Sequence, residues 1–412
     1  MNDDARDAVA RAHRAEWARV VASLTRRFGD LDIAEEAAAE AFATAVRRWP
    51  ADGVPPNPGA WLTTTANRKA IDRIRREGKR DGKHQEALMV HDDDPPEPAG
   101  AIDDDRLRLI FTCCHPALAV QTRVALTLRL VGGLTVPEIA RAHLVRETAM
   151  EQRITRAKAK IKAARIPCRV PSAEDLPARV SGVLAVLYLI FNEGYLATGP
   201  GTGPLRHDLT AEAIRLTRLT RALLPGDGEA TGLLALMLLT EARRAARVSA
   251  GGELVTLAEQ DRGAWDQALI AEGHRLVRER LAAAAAGDAP GRYQILAAIN
   301  AVHTSARDMR DTDWTQILAL YDRLVRVDPS PIVALNRAIA VAELDGPEVA
   351  LAAVDRLEDA LSGYHAYHAT RADLLRRLGR SRQSRAAYDK AIELAGNAAE
   401  TAYLTRRRDQ LR

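Results

Sequence analysis

A chain of 412 residues exceeds one small domain and points to two or three. It is 47% hydrophobic but only 4% aromatic, so its cores must be built from Ala, Leu, Val and Ile, a composition that leans towards helix. A net charge of +4 is only mildly basic, and three cysteines, two of them adjacent, exclude a disulfide framework and fit a reducing compartment. The N-terminus MNDDARDAVARAHR lacks the apolar core of a signal peptide, and the longest apolar run, Val183 to Phe191, is about half of what a membrane span needs. The expectation is a soluble, cytoplasmic protein with no membrane partner.

In chain order, residues 8–49 read as helices: Ala34, Ala37, Ala38, Ala41, Phe42 and Ala45 recur at helical spacing, with Glu35, Glu36 and Glu40 among them. A Pro/Gly-rich break follows from Trp49-Pro50 to Pro58-Gly59. A helix then runs from Ala60 to about Glu77 on the stripe Leu62, Ala66, Ala70, Ile71 and Ile74. This first domain is expected over 8–83. Residues 84–104, rich in Asp, Glu, Pro and Gly, read as an acidic flexible linker. Helices resume over 105–166, broken at Cys114-His115-Pro116 and at Gly132-Gly133, and Pro167 and Pro171 mark a second boundary. A helical extension is expected over 175–289, interrupted by a loop at Gly199–Pro204, with repeats over 290–412. No segment has the period-2 alternation of a strand, so the fold class is all-α.

Basic residues cluster twice: Arg68, Lys69, Arg73, Arg75, Arg76, Lys79, Arg80 and Lys83, then Arg141, Arg146, Arg153, Arg156, Lys158, Lys160, Lys162 and Arg165. Two basic blocks with an acidic stretch between them suggest two separate contacts with a polyanion, the plainer reading being two solvated helix faces.

The strongest local signal lies at 134–158. Thr135 and Glu138 form a capping box that starts a helix, and Leu144-Val145 makes a turn. A second helix carries Met150, Ile154, Ala157 and Ile161 on its buried side. That leaves Glu147, Glu151, Gln152 and Thr155 to face a groove, and Arg153, Arg156 and Lys158 to meet phosphates. This is helix-turn-helix logic. Near the end of the chain, Tyr321-Asp-Arg-Leu, Val354-Asp-Arg-Leu and Tyr388-Asp-Lys-Ala recur at steps of 33 and 34 residues, and Gly346 and Gly379 keep the 33-residue step. A period near 34 with Leu378-Gly379-Arg380 resembles the tetratricopeptide repeat.

The segment LTVPEIARAHLVRETAMEQRITRAKAKI resembles the promoter −35-reading domain of sigma-70 family factors, in their small extracytoplasmic-function class. Upstream, Ala34-Glu35-Glu36 with Glu40 and Phe42 resembles the helix that such factors dock on the polymerase clamp. Trp61-Leu62 to Ala66-Asn67, Ala70-Ile71-Asp72 and Arg75-Arg76 resemble the segment that opens the −10 element. The chain departs from the family pattern at Ala39, where glutamine is usual, and at Arg68, where asparagine is usual and Asn67 precedes it. Phe111-Thr-Cys-Cys-His-Pro116 and Phe191-Asn-Glu-Gly-Tyr-Leu-Ala-Thr198 resemble the subgroup with a long tetratricopeptide-like extension, which implies no separate membrane anti-sigma partner.

The resemblance implies core RNA polymerase and promoter DNA as partners, and the stacked repeats are expected to bind either a protein partner or the two N-terminal domains themselves. It places Glu35, Glu36, Glu40 and Phe42 against the polymerase. Trp61, Asn67, Arg68, Arg73, Arg75 and Arg76 would lie at −10 DNA. At −35 DNA it places Arg146, Glu147, Thr148, Glu151, Gln152, Arg153, Thr155, Arg156 and Lys158. Trp61 has a second reading as core, and Asp72 reads as a salt bridge or cap. Cys113-Cys114-His115 lacks a second ligand pair and reads as buried apolar surface. His365 and His368 read as packing or surface. Gly194, after Asn192 and Glu193 and before Tyr195, reads as a helix stop. No cofactor, metal or catalytic constellation is expected, and the protein is read as no enzyme. The alternative is a helix-turn-helix regulator with a repeat-type sensor, acting without core polymerase.

Overall fold

The computed structural model describes residues 2–80, 105–142, 145–195, 205–249, 254–396 and 398–411. Among them the regular structure is helical, and the β structure is confined to one isolated bridge between Val248 and Leu254. The expected linker over 84–104, the loop at 199–204 and Leu144 of the turn lie outside the described residues. Two compact units emerge, Met1–Leu189 and Ile190–Arg412.

The first unit opens with three long helices, α1 (Asn2–Phe28), α2 (Leu31–Asp52) and α3 (Pro58–Arg80). Asp30 starts α2 by accepting the amides of Asp32 (2.9 Å) and Ile33 (3.2 Å), the N-cap arrangement that satisfies donors with no helical partner. The small residues Ala34, Ala37, Ala38, Ala41 and Ala45 are all buried, and they let α1 and α3 pack closely on α2. The expected break at Trp49-Pro50 falls too early. Pro50 sits in the last turn, where one lost hydrogen bond is tolerated, and α2 ends at Gly53, whose φ of 83° and amide bond to Trp49 O close it. Asn57 Oδ1 accepts the amide of Ala60 at 3.0 Å and Pro58 occupies the first turn, so α3 starts before Ala60.

The second part of this unit comprises α4 (Asp105–Cys113), α5 (Val120–Leu126) running into a π-helical turn at Thr127–Val131, α6 (Val136–Ala142) and α7 (Glu147–Ala163). Seven of the nine residues of α4 are buried, Leu107 to Cys113, and α4 packs on α1. The capping box is present: Thr135 N donates to Glu138 Oε2 at 2.7 Å and Glu138 N to Thr135 Oγ1 at 3.4 Å. Met150, Ile154, Ala157 and Ile161 form the buried stripe of α7.

Helix α8 (Leu176–Tyr195) begins in the first unit, where Arg179 donates to Phe111 O at 2.7 Å, so that unit extends past the expected boundary at Pro167–Pro171. Its 20 residues have the length and apolar composition of a membrane span, more than the run from Val183 to Phe191 implied. Val180, Val183, Leu184, Val186, Leu187, Ile190 and Phe191 are buried, as in the core helix of a globular protein.

In the second unit, α9 (His207–Leu223), α11 (Gln267–Ala285) and α12 (Arg292–Ser305) surround α10 (Gly228–Glu241), which is buried from Ala230 to Glu241. Then come α13 (Trp314–Val327), α14 (Pro331–Leu344), α15 (Pro347–Asp355), the single turn α16 (Glu358–Leu361), α17 (His365–Arg377), α18 (Ser381–Leu394) and α19 (Ala398–Asp409). The sequence period near 34 has a structural counterpart. The aspartate of each Asp-Arg-Leu-like motif pairs with an arginine of a following helix: Asp322 with Arg337 (2.7 Å), Asp355 with Arg371 (2.7 Å) and Asp389 with Arg408 (3.0 Å).

Gly194 is not a helix stop, because α8 continues to Tyr195. A Cβ there would lie 2.6 Å from Thr210 N and 2.8 Å from Arg206 O, so glycine is required by the close approach of the α9 N-terminus. Gly194→Ala is expected to destabilise the second unit by about 1–3 kcal/mol through overpacking, read as a lower urea midpoint with helical content retained below the transition.

Candidate nucleic-acid interface

The N-terminal half of α7 presents a polar face. Arg146, Glu147, Thr148, Glu151, Gln152, Thr155 and Arg156 are exposed, while Arg153 is half-buried. The face is fixed from beneath by the Met150–Ile161 stripe and oriented by α6, whose capping box sets its start. Arg156 Nε donates to Gln152 O at 3.2 Å and remains at the surface. Lys158 is placed otherwise. Its side chain is only 10% exposed, and Nζ lies between Asp32 Oδ1 (2.8 Å) and Glu35 Oε2 of α2.

The expected polymerase face of α2 divides in the same way. Glu36 and Glu40 are exposed, and they pair with Arg73 and Lys69 (3.3 Å) of α3. Glu35 is buried, with Oε1 accepting from Arg129 Nε at 2.5 Å in addition to the Lys158 contact. Phe42 is also buried, against His13 (ring centroids 4.9 Å apart) and Trp17 (5.7 Å). Sequence periodicity gives the angular position of these residues on α2, but not which neighbouring element covers them.

On α3, Arg68, Arg75 and Arg76 are exposed and Arg73 is half-buried on Glu36. Trp61 is half-buried and edge-on to Trp49, with centroids 5.7 Å apart, a position that leaves both a packing and a stacking role to its ring. Asn67 is held by Thr63 O (3.0 Å) and Arg27 Nη1 (3.3 Å). Asp72 is exposed, and Arg76 Nε donates to its backbone carbonyl oxygen at 3.2 Å.

Residues 12–80 match the family described as sigma-70 region 2, and residues 108–161 match sigma-70, region 4. Two segments of the chain, in this order, are thus similar to sigma-70 family domains. The probable ECF RNA polymerase sigma factor SigI of Mycobacterium tuberculosis is 30% identical over 173 residues, 41% of this chain and 59% of that protein, so the chain spans under two thirds of that relative. A protein of Rhizobium meliloti (strain 1021) described as uncharacterized is 45% identical over 399 residues, 95% of this chain and 93% of its own length. Residues 179–283 match a family of unknown function (DUF6596). No solved structure matches.

Residues outside the expected contact sets join the two segments: Asp30 pairs with Lys162, Asp32 with Lys158, Glu35 with Arg129, and Trp17 Nε1 donates to Arg129 O. Of those outside the sets only Asp30 carried a legible signal, as a polar residue ahead of a helical stripe. His365, read as packing or surface, has its Nε2 3.2 Å from Glu400 Oε1, and His368 Nε2 reaches Ser362 O at 2.7 Å. No group of three or more His, Cys, Asp or Glu suited to a metal occurs among the described residues.

Cys113 and Cys114 are both buried. Burial pushes the Cys113 thiol well above its ordinary range and the Cys114 thiol to about 11, with the Thr127 hydroxyl contact (3.5 Å) only partly opposing it. Thiols held protonated and out of solvent are poor nucleophiles. Iodoacetamide at pH 8 is therefore expected to leave Cys113 and Cys114 unmodified in the native protein while half-buried Cys168 reacts slowly. Peptide mapping would read this, and labelling of all three should appear only after denaturation.

Proposed function

We propose that the protein is a sigma factor that directs core RNA polymerase to specific promoters. Residues 8–83 bind core and help capture unpaired −10 bases through Trp61, Asn67, Arg68, Arg73, Arg75 and Arg76. Residues 105–166 read the −35 element, with Glu147, Thr148, Glu151, Gln152 and Thr155 at base edges and Arg146, Arg153 and Arg156 at phosphates. The extension from 175 onward, including the tetratricopeptide-like repeats, regulates these domains in cis or docks a protein partner. The protein performs no chemistry itself and acts in the cytoplasm, where polymerase works.

The observation that carries this reading is the ordered pair of sigma-70 regions 2 and 4, with an exposed polar and basic face on the N-terminal half of α7. A helix with that division meets the requirement for major-groove entry: its apolar stripe is spent on its own domain, and the remaining side chains point outward.

The test is run-off transcription with purified core polymerase on a genomic promoter library. Full-length protein is expected to confer initiation at a defined promoter set. Glu36→Lys with Glu40→Lys is expected to weaken association with core at unchanged helicity. Substituting Gln152 or Glu151 should shift −35 preference at one or two base pairs by about 1–3 kcal/mol. Arg156→Ala should weaken all sequences alike and flatten the salt dependence. Initiation that is independent of the added protein, with DNA binding intact, would favour a regulator acting without core.

A further inference from the structure

Four helices of the second unit, α10 to α13, line an apolar trough. Gly232 brings α10 so close to α12 that a Cβ there would lie 2.6 Å from Gln294 N. Ala235 of α10 and Ala298 of α12 line the trough together with Leu276 of α11 and Leu320 of α13. Alanines between leucines are too short to fill the space that separates these helices, and a cavity of about 50 Å³ results. Ala235 and Leu276 are buried at its base, whereas Leu281, 57% exposed, stands at its mouth. A water takes roughly 10–15 Å³ of such a cavity, so the space admits a short hydrocarbon chain, and its apolar lining favours hydrocarbon over water.

Three polar side chains also line the trough, and two of them are already engaged. Arg280 donates to Gln294 Oε1 at 3.0 Å and pairs with Asp288. Gln294 Nε2 donates to Glu229 Oε1 at 3.4 Å, and Glu229 in turn takes the amides of Tyr293 (3.0 Å) and Gln294 (3.2 Å) at the start of α12. Arg323 is different. It is exposed on α13, the adjacent Asp322 is taken by Arg337 at 2.7 Å, and Arg323 has no acidic partner among the described residues. Lys390, at the same place in the later Tyr388-Asp-Lys-Ala motif, pairs with Glu393 at 2.9 Å.

We propose that this trough binds a small amphipathic monoanion, an aliphatic carboxylate, with its chain against Ala235, Ala298 and Leu320 and its head on the Arg323 guanidinium. A lone exposed arginine is ordinarily a solvated charge. Beside an apolar cavity with an exposed leucine at its mouth, it completes a site that is apolar within and cationic at the rim. The planar guanidinium offers two parallel N–H donors, which match the two oxygens of a carboxylate. With Arg280 and Glu229 each answered within the protein, one positive charge is left over, which sets the ligand charge at minus one. The assignment stands apart from the sigma reading, since no residue of the first unit takes part. It gives the extension a small-molecule input, placed between helices that match the family of unknown function and α13, the first to carry the Asp-Arg-Leu motif.

The test is isothermal titration calorimetry of the full-length protein with octanoate, held below its micelle threshold. Saturable binding of a single octanoate per chain is expected. 1-Octanol, which has the chain without the charge, should bind about tenfold more weakly, and acetate, which has the charge without the chain, should give no saturable signal. Arg323→Gln should lower octanoate affinity about tenfold and leave octanol binding unchanged. Ala298→Phe should fill the trough and abolish binding of both, with circular dichroism to establish that the helices are retained. If that variant misfolds, Leu281→Ser at the exposed mouth replaces it and should weaken octanoate and octanol alike. Absence of saturable octanoate binding to the wild type would overturn the proposal. Octanoate affinity that is the same in the wild type, Arg323→Gln and Leu281→Ser would place the binding elsewhere and overturn it equally.

Discussion

A carboxylate taken out of water must be met by cations or its burial costs several kcal/mol, and Glu35 is such a carboxylate. It stands on a buried α2 stripe of alanines with Leu31, Phe42 and Trp49, so that stripe itself supplies nothing to neutralise it. The compensating groups come from two places far along the sequence, Arg129 in the π turn and Lys158 in α7. Arg129 is further fixed by donating to Leu134 O at 2.8 Å, which ties the node to the residue just before the helix-turn-helix. The carboxylate thus sets where the π turn and α7 lie relative to α2, and the apolar contacts of Trp17 and α4 follow from that placement.

Scarcity of aromatic residues shapes the rest. Alanine-rich interfaces bring backbones close but bury little area per residue, so geometry must be specified by other means. In the first unit the means are the ion pairs between α2 and its neighbours. In the second unit they are the Asp322–Arg337, Asp355–Arg371 and Asp389–Arg408 rungs, repeated at nearly equal steps. Exposed rungs of this kind contribute little stability each. Their value is in register: each fixes how one helix pair leans on the next, while Tyr367, Leu374, Leu375 and Tyr388 supply the apolar burial.

Local rules were legible in the sequence and non-local ones were not. The Thr135–Glu138 capping box and the Met150–Ile161 stripe depend on residues within a few turns, and the structure has both. The start of α3 was misplaced by two residues, since Asn57 and Pro58 were read as part of a break instead of as cap and first turn. Gly194 was misread because its requirement comes from Arg206 and Thr210, beyond the helix it occupies. Glu35 and Lys158 show the same limit at the candidate site. Their positions on α2 and α7 follow from periodicity, but only tertiary packing pairs them with each other.

One helix, α7, is divided between two roles along its length. Its first half is exposed and polar, and its second half is committed to α2 through Lys158 and Lys162. Burial draws the line between the halves: Gln152 and Arg156 lie at the surface, whereas the Lys158 side chain is only 10% exposed between Asp32 and Glu35. A substitution in the first half therefore changes the outward face alone. Removing the Lys158 cation would leave Glu35 a buried carboxylate with one counter-charge fewer, and would change how α7 sits on α2.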